Sequence, residues 1–301
     1  MRNYFRLLYD KEVQFYVLKR LGLLDRLDDE KYLKKQFYAI TRKKLDLNNA
    51  ITFNEKIQVL KLIDRKELYT SLVDKYEVRN FVEKNLGKKY LIPLIGVWDD
   101  PEQIDFDLLP EQFVLKCNHN SGVGMCICKN KNDIDIKTVR KELKKGLDEN
   151  YYLSGREWPY KNVKRKIIAE KYMVDESGTE LKDYKLFTFE GKVHYIQVDY
   201  DRFTDHHRNF YDLEWNYVPF TTLYPTNPNR EIAKPICLER LIESAEVLAK
   251  AAGTPHFVRV DFYVINDQIY FGEMTFYHGS GYEKFYPEEY GEKLGDLIKL
   301  S

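Results

Sequence analysis

Two apolar segments late in the chain, Phe257-Val-Arg-Val-Asp-Phe-Tyr263 and Ile269-Tyr-Phe-Gly-Glu-Met-Thr275, each carry an acid inside what reads as a β-strand. Both are rich in aromatic and β-branched residues, both alternate in polarity, and the Asn266-Asp267 pair between them is a turn signal. Together they predict a hairpin. Its register decides whether the two acids meet, because a slip of one residue moves a side chain to the other face of a sheet. A tight two-residue turn at Asn266-Asp267 would part them. An odd-length turn centred near Asp267, or a compensating bulge, would set Asp261 opposite Glu273 and Arg259 opposite Thr275, all on one face. The paired register is the expectation.

A buried carboxylate without a partner is costly, and the usual remedies are a shifted pKa, a cation or a metal ion. Two acids and a hydroxyl on one face suit Mg²⁺, which takes oxygen ligands and commonly bridges carboxylates to nucleotide phosphates. Asp261, Glu273 and Thr275 are therefore the candidate metal ligands. The competing reading is a plain salt bridge from Arg259 to one acid on a solvated face.

A chain of 301 residues can bury a sizeable core and is long enough for two or three subdomains. Lys+Arg and Asp+Glu both number 48, so bulk charge points to no nucleic acid partner and no acidic surface. Aromatic residues make up 15% of the chain, with 24 Tyr, a composition that accompanies ring recognition as well as ordinary packing. No apolar run approaches the roughly 20 residues that span a bilayer. The stretch from Met1 to Phe37 is interrupted by charge too often for a secretory segment and reads as one or two amphipathic helices, which predicts a cytoplasmic protein. A mildly basic amphipathic stretch also suits peripheral contact with a membrane surface. Cys117, Cys126, Cys128 and Cys237 do not have zinc-finger spacing and are expected to be reduced packing residues.

Residues up to about Leu91 read as mostly helical, with Thr52-Phe-Asn-Glu55 a capping-box start. Strands follow at Tyr90–Trp98, Gln112–Cys117 and Met125–Cys128, a charged helix over Asp135–Asn150, and strands at Arg165–Met173, Tyr184–Phe189 and Val193–Val198. Leu241–Ala252 is an amphipathic helix stopped by Gly253 and Pro255. The second chemical landmark is Lys116, at the end of an apolar strand, followed by Asn118-His-Asn-Ser-Gly-Val-Gly124. Glycines let backbone N–H groups approach phosphate oxygens and a lysine supplies a point charge, although an ordinary hairpin turn has the same composition. The loop has neither the Gly-Lys-Ser/Thr of a Walker A motif nor the GxGxxG of a dinucleotide turn.

The order of the parts is more specific than any one of them. Asp74-Lys-Tyr-Glu-Val-Arg79, Phe113-Val-Leu-Lys116 with its Ser121-Gly122 loop, Ile168-Ala-Glu-Lys-Tyr-Met173, Arg259-Val-Asp261 and Phe271-Gly-Glu-Met-Thr275 together resemble the ATP-grasp enzymes from end to end. Thr52–Lys56, Tyr69–Lys75, Tyr90–Pro93, Gly96–Trp98, Gly155–Tyr160, Arg202–Thr204, Arg208–Asp212 and Gly279–Gly281 resemble in particular the teichuronopeptide-biosynthesis-type ATP-grasp proteins of bacterial surface-polysaccharide pathways. The resemblance implies an α+β ATP-grasp fold: an N-terminal helical region over 1–95, a lid subdomain over 96–173 and a catalytic subdomain over 174–301, clasping ATP between them.

It also implies roles. Arg79 and Lys116 would contact the phosphates of ATP beneath a lid loop containing Ser121 and Gly122, and Glu170, Lys171 and Met173 would form the adenine hinge with Asp175 or Glu176 near the ribose. Lys185 or Arg259 would steady the transferred phosphoryl group, and Asp261 and Glu273 would hold Mg²⁺. Thr275 stands where these enzymes usually place Asn, a departure that leaves a hydroxyl able to coordinate the ion. The activity implied is ligation of a carboxylate to an amine through an acylphosphate, on a sugar acid of a surface polysaccharide or its precursor, and the partner implied is membrane-bound polysaccharide machinery, met peripherally.

For the acceptor, Asp199–Tyr211 offers clustered Arg, His, Asp and aromatic residues, with Arg202, His206 and Arg208 the candidate substrate contacts. His206 and His207 point to opposite faces if they lie in a strand, so one of them at most faces the site. Gly279, Ser280 and Gly281 could cradle an anionic group. A charged solvent loop is the plain alternative for the first segment, and a structural turn for the second. Rival functions are a sugar kinase using the same nucleotide site and a non-catalytic carbohydrate-binding or assembly subunit.

Overall fold

The computed structural model describes residues 9–176, 178, 181–202 and 204–300. Residues 1–8 of the N-terminal amphipathic stretch and Phe203 of the Arg202–Thr204 match lie outside the described residues. The first third of the chain is helical: α1 (Lys11–Arg20), α2 (Asp29–Thr41), α3 (Phe53–Ile63), α4 (Glu67–Val73) and α5 (Val78–Asn85). The capping box forms as the sequence predicts, with the Thr52 side chain accepting from Glu55 N and the Glu55 carboxylate accepting from Thr52 N at 2.9 Å. No described helix is long and apolar enough to cross a membrane.

Two antiparallel sheets follow. The smaller one has the order β1-β4-β2-β3, built from β1 (Leu94–Trp98), β2 (Phe113–Cys117), β3 (Met125–Cys128) and β4 (Ile167–Lys171). Its back packs on α6 (Ile136–Asp148) through Phe113, Leu115, Cys117, Leu143, Ile167 and Ala169. Period-two alternation then turns Val114, Lys116, Ile168 and Glu170 to the opposite face. The expected strand from Tyr90 starts only at Leu94. Pro93 has no N–H to give a ladder, and residues Lys88–Tyr90 form a single 3₁₀ turn instead.

The larger sheet has the order β11-β10-β5-β6-β7-β8, from β5 (Asp183–Phe189), β6 (Lys192–Tyr200), β7 (His207–Tyr211), β8 (Tyr217–Val218), β10 (Phe257–Ile265) and β11 (Gln268–Thr275). The short β9 (Thr221–Thr222) pairs with β12 (Phe285–Tyr286). Helix α7 (Leu238–Ala252), ended by Gly253 at φ +67°, covers one face of this sheet. The other face changes character along its length: Phe189 and Phe257 pack on Phe53 of α3 with Phe187 against Phe257, and two residues further along the same strands lie Lys185 and Arg259. The last helix is α8 (Glu289–Asp296).

The cysteines are unpaired, with Cys117, Cys128 and Cys237 buried as packing residues. Asp199–Tyr211 is a loop only in its middle: β6 runs through Tyr200 and β7 starts at His207, so Arg208 and Asn209 are strand residues at 5% and 0% exposure, while Arg202, Thr204 and Asp205 between the strands are exposed.

Candidate active site

The hairpin β10–β11 combines a tight turn with paired acids. Asn266 and Asp267 both have positive φ, +48° and +60°, the type I′ geometry that matches hairpin twist. From this turn the strands pair Ile265 with Gln268 and Phe262 with Phe271, which would set Asp261 opposite Gly272. Gly272 bulges, and pairing resumes with Asp261 opposite Glu273 and Arg259 opposite Thr275. A Cβ on Gly272 would lie 3.1 Å from the Asp261 carbonyl oxygen, so a glycine here lets the bulge close on its partner strand.

Arg259 spans the four positions. Its Nε donates to Asp261 Oδ1 at 2.7 Å, and its Nη2 to Asp261 Oδ2 at 2.6 Å, Glu273 Oε1 at 3.0 Å and Thr275 Oγ1 at 3.1 Å. Arg259 and Asp261 are 7% and 3% exposed, which rules out a salt bridge on a solvated face.

Asp261 is shared with Lys185, opposite it on β5, whose Nζ reaches Asp261 at 3.2 Å, Asp183 at 3.3 Å and Asp199 at 3.6 Å. Arg208 joins Asp199 at 2.7 Å to Glu283 at 2.8 Å, Glu283 lies 3.2 Å from His278 Nε2, and His278 Nδ1 meets Arg259 Nη1 at 2.7 Å. These contacts close a ring of alternating cations and acids, with His278 between Glu283 and Arg259. Because Arg259 can only donate, Nδ1 of His278 is the acceptor and its Nε2 carries the proton toward Glu283. Burial raises the Asp199 and Glu283 carboxyls, but Lys185 and Arg208 beside the first, and His278 and Arg208 beside the second, hold both well below the usual range. Glu273, also raised by burial, is pulled down to about 2 by Lys75, Arg259 and Lys185.

The smaller sheet supplies the facing wall. Glu170 on β4 is bridged by Lys116 on β2 at 2.6 Å and by Arg79 of α5 at 3.1 Å. Lys75 acts between the walls: burial lowers its pKa, Glu273 on one side raises it, and Lys116 on the other lowers it. Its ammonium donates to the Asn120 carbonyl at 2.8 Å and its N–H to that of Asn118 at 3.0 Å. The base of the loop after β2 is thereby fixed, helped by Asn120 Nδ2 donating to Glu149 at 2.9 Å, whereas Ser121 and Gly122 at its tip are exposed. Across the larger sheet Lys185 and Arg259 are balanced by Asp183, Asp199, Asp261 and Glu273, whereas on the facing wall Arg79, Lys75 and Lys116 gather around Glu170, an excess of positive charge suited to a polyphosphate.

The donor set on the hairpin is all oxygen, from Asp261, Glu273 and Thr275. Among the described residues no group of three or more His, Cys, Asp or Glu forms a metal cage. Oxygen ligands are what Mg²⁺ takes, and Glu273, its side chain 37% exposed, is open to phosphate while Asp261 behind it is held by Arg259 and Lys185, so the donor set fits that ion.

A sequence profile of the TupA-like ATP-grasp family matches residues 55–299. The chain belongs to the TupA-like ATP-grasp family. Its fold is that of the ATP-grasp enzymes, and Lys75 lies within electrostatic reach of both Glu273 on the larger sheet and Lys116 on the smaller one. No match was found among curated proteins. Solved structures similar in fold include a D-alanine–D-alanine ligase from Bacillus anthracis complexed with ATP, at 15% identity over 95% of this chain and 90% of that one with a TM-score of 0.45. Biotin carboxylase from Campylobacter jejuni matches at 15% identity over 83% and 53%, TM-score 0.44. N5-carboxyaminoimidazole ribonucleotide synthetase in its ADP complex matches at 16% identity over 69% and 46%, TM-score 0.44, so the chain spans about half the length of these last two.

The remaining candidates fall in different places. Met173 is half-buried beyond the end of β4, while Lys171 is exposed and uses its backbone N–H on Pro93 O at 3.0 Å. Asp175 and Glu176 border a cavity of about 300 Å³ with Tyr184, Tyr200 and Val264, residues on the sheet face opposite Lys185 and Asp261. Their carboxylates meet Lys182 at 2.7 Å and the Asn266 N–H.

Arg202 pairs with Asp183 at the cleft mouth, its side chain 41% exposed, whereas Arg208 is enclosed in the ring. His206 stacks on Tyr224 at 3.6 Å and turns toward Asp199, while His207 stacks on Tyr200 on the other face. Ser280 is bound by Lys61, whose Nζ donates to its carbonyl at 2.8 Å and its Oγ at 2.9 Å.

Sequence reasoning did not single out Lys75, Asp183, His278 and Glu283. Lys75 was visible within Asp74-Lys-Tyr-Glu-Val-Arg79, but nothing in that string says that it, as well as Arg79, faces the acids. His278 and Glu283 flank Gly279-Ser-Gly281 and become informative only once β10 is placed beside them.

Proposed function

We propose that this protein is an ATP- and Mg²⁺-dependent ligase that joins a carboxylate, on a sugar acid of a bacterial surface polysaccharide or its precursor, to an amine. The observation that carries this is the pairing of Asp261 with Glu273 across the Gly272 bulge, facing the cations that Arg79, Lys75 and Lys116 add from the opposite wall. Asp261 and Glu273, with Thr275 beside them, would hold Mg²⁺, which supplies charge neutralisation on the phosphates of ATP. Lys75, Lys116 and Arg79 neutralise and position the polyphosphate, and Lys185 and Arg259, locked in their ring, stabilise charge on the transferred group.

A carboxylate oxygen of the acceptor attacks the γ-phosphorus, and ADP leaves with the bonding electron pair. The ammonium gives up one proton to become a free amine, its nitrogen attacks the acyl carbon, phosphate departs with the C–O pair, and a second proton leaves the nitrogen as the amide forms, both protons passing to phosphate or solvent. The Asn118–Gly124 loop closes the cleft over the reacting groups and keeps water from the acylphosphate. Arg202, at the mouth, is placed to meet the acceptor carboxylate.

Incubation with ATP, Mg²⁺, a set of uronic acids and hydroxylamine tests this reading: an acylphosphate is trapped as a hydroxamate, with ADP released in equal amount. A phosphomonoester product would show transfer to a hydroxyl, and no ADP release with any acceptor would count against catalysis.

A further inference from the structure

A second cavity, of about 270 Å³, lies beside the ring on the helical side of the cleft. It is lined by Glu12 and Tyr16 of α1, Gln36 and Ile40 of α2, Tyr151, Ser154, Gly155 and Glu157 of the segment after α6, and Gly279, Ser280 and Tyr282. Three features mark it as built. The floor is open because residue 155 is glycine: a Cβ there would lie 2.4 Å from Ser280 Oγ and 3.3 Å from Glu157 Oε1. One side is a strained turn in which Gly279, Ser280 and Gly281 all have positive φ, at +54°, +53° and +68°; the non-glycine Ser280 is held there by Lys61. Glu157, 8% exposed, faces the cavity with Lys61 behind it.

The charge of the lining selects its ligand. The charged residues that line it, Glu12 and Glu157, are both acids. Lys61 is fully buried behind Ser280, and Lys19 is turned to Ser154 at 3.0 Å. An acceptor carboxylate is disfavoured in such a place, and an ammonium is favoured. Three tyrosine rings, Tyr16, Tyr151 and Tyr282, with the amide of Gln36 and the serine hydroxyls, offer stacking and hydrogen bonds to a small polar body. A volume just under the roughly 300–1,000 Å³ of ordinary ligand pockets fits a body of single-ring size. The cavity lies next to the ion ring in the chain and in charge: its wall residues Gly279 and Ser280 follow directly on His278, which meets Arg259, and Glu157 and Glu273 both act on Tyr151 and Tyr160.

We propose that this cavity is the binding site of the amine co-substrate, a small hydroxylated primary amine without a carboxylate, with Glu157 receiving its ammonium group and Tyr16 of α1 forming the outer wall. This rests on the ligase reading above. Helices α1 and α2, which supply the outer wall, precede the residues 55–299 that match the family.

The test is calorimetric titration of glucosamine, galactosamine and ethanolamine into the full chain holding Mg²⁺ and a non-hydrolysable ATP analogue, with N-acetylglucosamine and glutamate as controls. At least one amine should bind saturably and neither control should. Glu157→Gln should weaken that binding about tenfold or more, since a charge-assisted hydrogen bond is lost, and Tyr16→Ala, at a 44% exposed residue, should weaken it severalfold. Both variants should bind the nucleotide as the wild type does. If the nucleotide binds but no amine does, or if both variants bind the amine unchanged, the cavity assignment is overturned and the ligase reading stands. If the wild type binds no nucleotide, the ligase reading itself falls.

Discussion

The two walls of the cleft hold their charges in different ways. On the larger sheet, every member of the ion ring except Glu283 is less than a tenth exposed, and each is fixed by at least two neighbours. On the smaller sheet, Glu170 alone joins two cations whose side chains are 15% and 23% exposed, beneath a loop whose tip faces solvent. On the proposed ligase reading, the difference separates two tasks. Acids that bind a metal and cations that stabilise a transferred group gain from being fixed before the substrate arrives. Cations that grip a phosphate must be able to exchange an internal carboxylate for the ligand, and Lys116 and Arg79 are placed to do so.

Arg259→Ala is the largest break of the ring. It leaves Asp261 buried without its main partner and should cost about 3–5 kcal/mol, read by urea unfolding; a loss below about 1 kcal/mol would mean the ring is not a unit. Gly272→Ala acts on the same wall through the backbone. Crowding the Asp261 carbonyl should cost about 1–3 kcal/mol and weaken Mg²⁺-dependent ATP binding by more than the stability loss accounts for, because the register of the acids shifts. An unchanged affinity would show that the bulge is not needed to pair them.

Glu273 gives a pH signature. Its carboxyl is lowered from an ordinary value near 4.5 to about 2, so its contribution to stability is fully present above about pH 4.5 and is lost as pH falls toward 2. Glu273→Gln should flatten that acid limb of the stability curve, and an unaltered limb would contradict the arrangement.

The smaller sheet should respond in the opposite sense. Lys116→Ala should change stability by less than about 1 kcal/mol, since Glu170 keeps Arg79, yet weaken ATP binding about tenfold or more. Ser121→Ala, at the exposed loop tip, should leave unfolding within about 0.5 kcal/mol of the wild type.

Much of this contrast was legible in the sequence, and the limits have physical causes. Periodicity located both sheets, and the acids in apolar strands marked Asp261 and Glu273, because local alternation is written into consecutive residues. The pairing register was not determined by the Asn266-Asp267 turn alone. It needed the bulge, and Gly272 marks that bulge only when its contact with the Asp261 carbonyl is known. Arg208 looked like a substrate contact because an arginine beside histidines in a polar stretch resembles a binding loop; that it is enclosed by Asp199, Thr222 and Glu283 depends on three separate elements meeting. The Glu157 cavity was hidden for the same reason, since its walls come from α1, α2, the segment after α6 and the Ser280 turn.

The central claim is that ATP is clasped between the Glu170–Lys116 wall and the Asp261–Glu273 hairpin. It is tested most directly by calorimetric titration of ATP with Mg²⁺ or with EDTA into the wild type, Lys116→Ala and Asp261→Asn. Micromolar binding by the wild type, weakened by EDTA and by each substitution, is the expected result. A folded wild type that binds no ATP, or that binds it equally well with EDTA and in Asp261→Asn, would contradict the claim.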